Sequence, residues 1–389
     1  MMKNTWTLFV IILCGFACKK PFSPPTSISA DGKYLVVEGV INGNSDSTFI
    51  KLSRTKKVDT LRTVYPEKGA QVTVESDANN TYPLAATIAG TYACPPLNLD
   101  VTHKYRLRIK TADNREYVSD FVPVKNAPVI DSLGFIAQNT GVQIYVNAHN
   151  DANATHYYRW DYREDWQFHS KYISTYVAFN APRPVGQQIH DCFAGDESTN
   201  INIASTVKLA RDIVYQGPVV FIPANSEKIE TKYSILVKQY ALTNDAYAFW
   251  QNLQNNTEKL GSIFDVLPSQ AQTNFRCVTN PNELVIGYLS VGNVSSKRIF
   301  ITASQLLPTY SPQYPCYCEL DTVFASPNPK IAQELSWTET YEKSPASFKL
   351  VQAFFPTPNL GVPDKYTYYT NLCVDCTVRG TVKAPPFWK

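Results

Sequence analysis

Short segments near the start of the chain alternate apolar and polar side chains with a period of two. In one of them Ile50 and Leu52 are apolar, while Lys51 and Ser53 are polar. This alternation is typical of β-strands that have one buried and one solvated face. Segments of this kind, or apolar runs of strand length, lie at residues 34–41, 50–53, 70–75, 105–110 and 117–122. Together they predict an antiparallel, immunoglobulin-like β-sandwich over residues 32–125.

A second series of such segments follows this unit. Tyr158, Trp160 and Tyr162 share one face of a segment, as aromatic side chains of a sandwich core should. The other segments lie at residues 142–146, 233–240, 283–289 and 298–302. They predict a second β domain over residues 126–305, also of the immunoglobulin or fibronectin type. The predicted fold class is therefore mainly β, with two β-sandwich units.

One segment of the second domain has the period of a helix instead. Apolar residues recur at spacings of three, four and seven from Ala246 to Leu253, and Thr243 precedes them in the N-cap position. This pattern predicts a short helical insertion near residues 243–257. From residue 306 onward Pro and Cys are frequent, which predicts an irregular, disulfide-stapled region over 306–389 that packs on the second domain.

The beginning of the chain has the order of a bacterial lipoprotein signal. Lys3 precedes an apolar run over residues 8–16, and Ala17 is followed directly by Cys18 and a Pro-rich stretch. This order predicts a signal peptide over residues 1–17, lipidation at Cys18 and a Pro-rich tether over 18–31. Cys14 is a weaker competitor for lipidation because bulky Leu13 precedes it, and plain secretion is the alternative.

Composition and charge narrow the functional classes. The chain has 36 Lys and Arg against 33 Asp and Glu, a formal net charge of +3, which does not supply the basic face that nucleic acid requires. Nucleotide-binding loops, the H-E-x-x-H motif and the G-x-S-x-G elbow are all missing from the sequence. The five histidines lack metal-ligand spacing. We therefore expect no enzymatic activity, no cofactor, no metal and no nucleic-acid partner.

Seven cysteines remain after Cys14 and Cys18. In an exported protein they are first of all disulfide candidates. The six most favoured candidates are Cys192, Cys277, Cys316, Cys318, Cys373 and Cys376. Cys192 and Cys277 are plausible mutual partners, the two close pairs near the C-terminus could be cross-linked, and Cys94 is left over. A four-cysteine zinc site built from the two close pairs is the less favoured alternative.

Aromatic residues supply the candidate ligand-binding site. Four of them follow Tyr162 outside its regular alternation, in a segment that we expect to be an exposed insertion. These candidates are Trp166, Phe168, Tyr172 and Tyr176. Asp161, Glu164 and Asp165 cluster beside Trp160, Tyr162 and Trp166. A hydrolase that uses these carboxylates is therefore a further, less favoured hypothesis.

Several of these segments, in this order, resemble a known family. They are Cys18 to Pro21, residues 34–41, 50–55, 240–250, 280–289 and 298–301, and the C-terminal residues 373–388. The resemblance is to the Bacteroidota lipoprotein family known as domain of unknown function 4249. It implies an outer-membrane lipoprotein encoded near TonB-dependent transporters, with no established catalytic residues.

This resemblance leads to two functional expectations. The first is a non-enzymatic lipoprotein on the periplasmic or cell-surface face of the outer membrane, acting as accessory or ligand-delivery partner of a TonB-dependent barrel. The alternative is a free-standing surface lipoprotein that binds a glycan or a peptide.

Overall fold

The computed structural model describes most of the chain that follows the predicted tether. The described residues are 34–43, 46–55, 65–178, 181–258, 272–314, 316–324, 348–355 and 365–388. The predicted signal peptide, Cys18 and the tether over 18–31 lie outside them.

Strands of the first part are β1 (Leu35–Asn42), β2 (Thr48–Arg54), β3 (Tyr65–Pro66), β4 (Gln71–Ser76), β5 (Thr81–Ala86), β6 (Thr91–Cys94), β7 (Lys104–Lys110), β8 (Glu116–Ser119) and β9 (Val122–Pro123). Those of the middle part are β10 (Ile130–Gln138), β11 (Gly141–His149), β12 (Tyr157–His169), β13 (Tyr176–Ala178), β14 (Ala181–Pro182), β15 (Asp191–Glu197), β16 (Asn202–Ser205), β17 (Ile213–Pro223), β18 (Lys232–Ala241), β19 (Phe275–Cys277), β20 (Val285–Ile286), β21 (Ser290–Gly292) and β22 (Ser295–Thr302). The last part contains β23 (Leu320–Phe324), β24 (Phe348–Phe354) and β25 (Lys365–Thr370).

Helices are short and few among the described residues. The α-helices are α1 (Asn244–Thr257) and α2 (Asn371–Val374). Single 3₁₀ turns occur at Val185–Gln187, Glu227–Ile229, Ala303–Gln305 and Cys376–Val378. None of these helices is long and apolar enough to cross a membrane.

The first unit is a β-sandwich around one apolar core. Its strands follow the order β8-β7-β4-β5-β6-β2-β1. Strand β5 pairs with β4 through its first four residues and with β6 through its last two, so it passes from one layer to the other. Alternate residues of the strands, such as Ile50 and Leu52 in β2, are buried in the core, as the sequence pattern predicts.

A later segment of the chain returns to this first unit. Strand β19 pairs with β8, and β20 and β21 both run parallel to β1. Leu289 and Val291 are accordingly buried in the first core. The sequence pattern assigns the segment 283–289 to the second domain over 126–305. This assignment is wrong, because the segment packs on the first unit. The free edge of β1 accepts these strands, although β1 is far away in sequence.

The second unit is also a sandwich. One layer has the order β10-β11-β17, and the other has the order β15-β12-β18-β22, with β16 also beside β12. Their facing side chains form one core, in which Trp160 is buried and donates its indole N–H to Gln239 Oε1 at 2.8 Å. The prediction of a mainly β protein with two sandwich units is therefore confirmed.

Helix α1 is the helical insertion of the second unit. The hydroxyl of Thr243 accepts a hydrogen bond from the Ala246 amide at 3.2 Å and so caps the first turn. Ala246 and Phe249 are buried. Trp250 packs over the guanidinium of Arg159 at 4.1 Å from its ring centroid, which holds α1 against β12.

The C-terminal region combines irregular chain with a small antiparallel sheet of order β23-β25-β24. Its own core consists of Leu350, Ala353, Tyr366 and Tyr368. Two disulfides join this region to itself and to the second sandwich: Cys318–Cys373 and Cys192–Cys376.

Candidate functional site

Strand β12 carries most of the residues that the sequence singles out as a site. It is 13 residues long, and its even-numbered side chains point into the core of the second sandwich. Trp166 is only 8% exposed and Phe168 only 1%. The expectation that these two residues lie on an exposed insertion is therefore wrong, because the strand continues past Tyr162 and both belong to its inner face.

Glu164 is the inward-facing residue that interrupts this aromatic row. Its carboxylate is buried and accepts hydrogen bonds from the Tyr233 hydroxyl at 2.7 Å and from Lys228 Nζ at 2.6 Å. Lys228 Nζ also lies 4.8 Å from the centroid of the Trp166 ring. Burial and then the Glu164 charge raise the pKa of Tyr233 well above its usual value, so this hydroxyl remains a donor.

Asp161 and Asp165 lie on the opposite face of β12 from Glu164. Asp161 accepts a hydrogen bond from Arg159 at 2.6 Å. Asp165 is buried and accepts hydrogen bonds from Arg163 Nε at 3.2 Å and from Arg298 Nη1 at 3.1 Å. The three carboxylates of the hydrolase hypothesis are thus divided between two faces and engaged by cations, so they do not form a pair across one cleft.

The described part of the chain presents a partly exposed aromatic surface where the C-terminal sheet meets the segment after β12. Tyr172 and Tyr369 stack with ring centroids 3.7 Å apart and an interplanar angle of 18°. The Tyr172 amide donates a hydrogen bond to the Cys373 carbonyl. The Thr370 hydroxyl donates one to the Tyr317 carbonyl. We call this surface the Tyr172 patch. Its members are Tyr172, Tyr317, Leu320, Tyr369 and Leu372, of which Tyr317 is 86% exposed.

Of the predicted binding residues, Tyr172 belongs to this patch, whereas Tyr176 is half-buried against the core of the C-terminal sheet. The sequence analysis missed Tyr369 and Leu320. These two residues are directly opposite each other on β25 and β23, so they share a face. The alternation of Tyr366 and Tyr368 with Thr367 and Tyr369 is the signal that could have placed Tyr369 on the outer face.

The cysteines pair differently from the expectation for Cys192. This residue is bonded to Cys376 and not to Cys277. Cys277 lies on β19 opposite Tyr117, in the core of the first unit, where Cys192 cannot reach it. Because Cys376 is used in this way, the four cysteines of the alternative zinc site are not brought together.

Three sulfur atoms nevertheless meet at the base of the C-terminal sheet. Cys318 is bonded to Cys373, and the free thiol of Cys316 lies 2.9 Å from Cys373 Sγ and 3.9 Å from Cys318 Sγ. The free thiols of Cys94 and Cys277, in contrast, are buried in the first unit.

A shallow, polar cavity of about 380 Å³ lies on the first unit, between the turn at residues 76–81, Arg106 and Phe121. Its charged side chains already have partners. Arg106 Nε donates to Glu75 at 2.6 Å and its guanidinium covers the Phe121 ring, while Asp77 is hydrogen-bonded to His103 at 2.8 Å. The charges that line this cavity are therefore paired within the protein.

The family model described as Domain of unknown function (DUF4249) matches residues 19–298, more than half of the chain. The chain belongs to this family. The matched part of the DUF4249 chain spans both sandwiches, while the C-terminal sheet and the three-sulfur cluster lie beyond it.

The DUF4249 chain is also similar to a solved structure with two domains. This is a segment of two fibronectin type III domains from chicken tenascin, with 8% identity, a TM-score of 0.16 and coverage of 53% of this chain and 90% of the tenascin segment. At that TM-score, the fold assignment rests on the strand pairing described above. No curated protein matches the DUF4249 chain.

Proposed function

We propose that this DUF4249 chain is a Bacteroidota lipoprotein of the outer membrane, on its periplasmic or cell-surface face. In this proposal it is attached through acylated Cys18 and acts, without catalysis, as accessory or ligand-delivery partner of a TonB-dependent transporter. The observation that carries the proposal is the order of segments at the start of the chain. A charged, apolar and small-residue signal ends directly before Cys18, and the family match begins at residue 19.

The site geometry favours a binding role over a catalytic one. Glu164 and Asp165 are both engaged by cationic side chains inside the fold, whereas the Tyr172 patch exposes apolar and aromatic groups. A surface of this kind is suited to contact with another molecule.

The anchor is tested by replacing each candidate cysteine in turn. We expect Cys18→Ala to abolish incorporation of radiolabelled palmitate and to release the protein from the membrane fraction, because stable anchoring requires the acyl chains. Cys14→Ala is the matched control and should behave like the wild type. If the Cys18→Ala variant remains acylated and membrane-bound, the proposed anchor is wrong.

The partnership is tested by affinity purification of the tagged wild-type lipoprotein from its own outer membranes in mild detergent. Mass spectrometry of the eluate should identify a transporter barrel in comparable molar amount. The Cys18→Ala variant, which is not held at the membrane, should recover much less of it. Elution of the wild-type protein alone would contradict a stable complex.

A second candidate function is a free-standing surface binder of a glycan or a peptide. The observation that favours it is the Tyr172 patch, where two stacked tyrosines and the exposed Tyr317 present aromatic faces.

Glycan and peptide arrays probed with the purified protein test this second function. Tyr172→Ala and Tyr369→Ala should each reduce binding of any ligand found by at least about tenfold, the loss expected of a stacking residue. Tyr215→Ala is the matched control, because Tyr215 is 77% exposed on β17 and lies outside the patch. Equal binding by all three variants would exclude the patch as the binding surface.

A further inference from the structure

A free thiol lies beside a disulfide where the C-terminal sheet begins. Cys316 is half-buried, and its sulfur is 2.9 Å from that of Cys373, which is bonded to Cys318. All three sulfur atoms lie within 4.8 Å of one another. Since a thiolate that reaches a disulfide sulfur can replace one of the two bonded cysteines, this arrangement has a specific chemical consequence.

We propose that Cys316, Cys318 and Cys373 form a thiol–disulfide exchange site with two alternative cross-links. Cys316 loses its proton to water, and its thiolate attacks Sγ of Cys373. A bond forms between Cys316 and Cys373 while the bond between Cys318 and Cys373 breaks, and Cys318 leaves as a thiolate that takes up a proton from water. One disulfide and one thiol are present before and after the step, so neither an oxidant nor a reductant is consumed.

Hydrogen bonds on both sides of Cys316 and Cys318 hold these two cysteines close to Cys373. Before Cys316, the Tyr314 hydroxyl donates to Glu230 at 3.2 Å and lies 3.1 Å from His169 Nδ1. After it, the carbonyls of Tyr317 and Glu319 accept hydrogen bonds from Thr370. Cys316 and Cys318 are therefore held next to the helix α2 that carries Cys373.

The two cross-links place almost the same constraint on the chain. Cys318 and Cys373 are 55 residues apart in sequence, and Cys316 and Cys373 are 57 apart. Because loop-closure entropy changes only slowly with loop length, it hardly favours one bond over the other. The Cys192–Cys376 bond holds the following 3₁₀ turn to β15 in both forms.

The surroundings of Cys316 affect the rate of exchange. Burial raises the pKa of its thiol; Arg379 and Lys171 act in the opposite direction, and Glu227 adds to the increase. A raised pKa means a smaller thiolate fraction at neutral pH. Exchange should therefore be slow at neutral pH and faster in mild alkali.

Disulfide mapping of the full-length mature protein tests the proposal. Samples held at neutral or mildly alkaline pH are quenched in acid, alkylated with a maleimide at low pH and digested with pepsin, which suppresses further exchange. Mass spectrometry should detect the Cys318–Cys373 and the Cys316–Cys373 peptides in the wild type, with the second form growing faster at the higher pH. Detection of Cys318–Cys373 alone at every pH, or of a Cys316–Cys318 bond instead, would overturn the exchange.

Two matched variants isolate the alternative bond. Cys318→Ser should contain the Cys316–Cys373 disulfide in most molecules, whereas Cys316→Ser should retain only Cys318–Cys373. The Cys192–Cys376 bond is the readout of correct folding in both variants. If Cys318→Ser retains that bond but has free thiols at Cys316 and Cys373, the proposal is wrong. The wild-type time course decides the question if this variant does not fold.

Discussion

Among single residues, the buried Glu164 makes strand β12 appear shorter in the sequence than it is. Alternate residues of β12 from Tyr158 to Phe168 face the core, and all of them except Glu164 are aromatic. A carboxylate in that row makes the sequence look like the start of a polar insertion. It is compatible with burial because Tyr233 and Lys228 satisfy both of its oxygen atoms.

We expect Glu164→Gln to destabilise the second sandwich by about 1–3 kcal/mol, because it leaves the Lys228 ammonium without its counter-charge. Urea unfolding followed by tryptophan fluorescence measures this free energy, since residues 32–125 contain no Trp. Asp161→Asn is the control, because the Asp161 side chain is 39% exposed, and it should cost less than about 1 kcal/mol. Equal losses in the two variants would contradict a structural role for the Glu164 network.

The surroundings of Asp212 indicate that the stability of the fold depends on the charge of this carboxylate and therefore on pH. It is buried and accepts hydrogen bonds from Thr206 at 2.6 Å, Tyr158 at 2.9 Å and two backbone amides. Burial alone would raise its pKa, but these hydrogen bonds outweigh that effect and lower it. Because the folded-state pKa is lowered, the stabilisation is present above the unfolded-state pKa of about 3.9 and is lost as the pH falls through the folded-state value.

Asp212→Asn should therefore reduce the free energy of unfolding at pH 7 by about 2–3 kcal/mol, and the difference from the wild type should shrink below about pH 4. Urea titrations across this range provide the measurement. Asp151→Asn, whose side chain is 97% exposed, should match the wild type throughout. A difference that is constant from neutral to acidic pH would rule out this assignment.

At the scale of elements, membership of a sheet follows available edges and not position in the chain. Strands β20 and β21 complete the free edge of β1, and such coverage protects an edge strand from pairing with other molecules. The Lys125 amide donates to the Val291 carbonyl at 2.8 Å, so this contact lies where the chain leaves the first unit.

Gly292 allows the close approach of β21 to the backbone at Lys125. A Cβ atom at this position would lie 1.7 Å from the Lys125 carbonyl oxygen. We expect Gly292→Ala to cost at least about 2 kcal/mol and to increase hydrogen exchange of the amides in β1 and β21 above that of the wild type. Gly186→Ala is the control, because nothing lies within 4 Å of the added atom. Normal protection of both strands in Gly292→Ala would contradict the close contact.

In the whole molecule, a disulfide and aromatic contacts attach the C-terminal residues to the second sandwich. Cys376 is bonded to Cys192 of β15 over a sequence separation of 184 residues. Beyond it, Phe387 covers the Arg298 guanidinium at 3.6 Å, and Trp388 contacts Phe193 and Phe300 edge to face. These contacts cover the face of the sheet on which Asp165 lies.

Removal of this disulfide by the double substitution Cys192→Ala and Cys376→Ala should lower the free energy of unfolding by about 2–5 kcal/mol, because the unfolded chain loses a long-range constraint. Urea unfolding of the oxidised proteins measures the effect. Cys277→Ala removes a buried cysteine without a disulfide and should cost no more than about 1 kcal/mol. A similar loss in this control would indicate that packing, and not the cross-link, accounts for the change.

The features that can be predicted from the sequence are local. Alternation with a period of two located several strands of each sandwich, and Thr243 with the helical spacing that follows it located α1 to within a residue, because these signals depend only on neighbours along the chain. The order of segments around Cys18 predicts the anchor in the same way.

Contacts between distant segments follow from the three-dimensional fold alone. The fold pairs β20 and β21 with β1, joins Cys192 to Cys376, places Trp166 and Phe168 in a core and stacks Tyr172 on Tyr369. Each of these contacts depends on free strand edges, on burial and on distances between residues far apart in sequence. A repeating pattern of apolar residues shows that a side chain will be buried, but not against which partner.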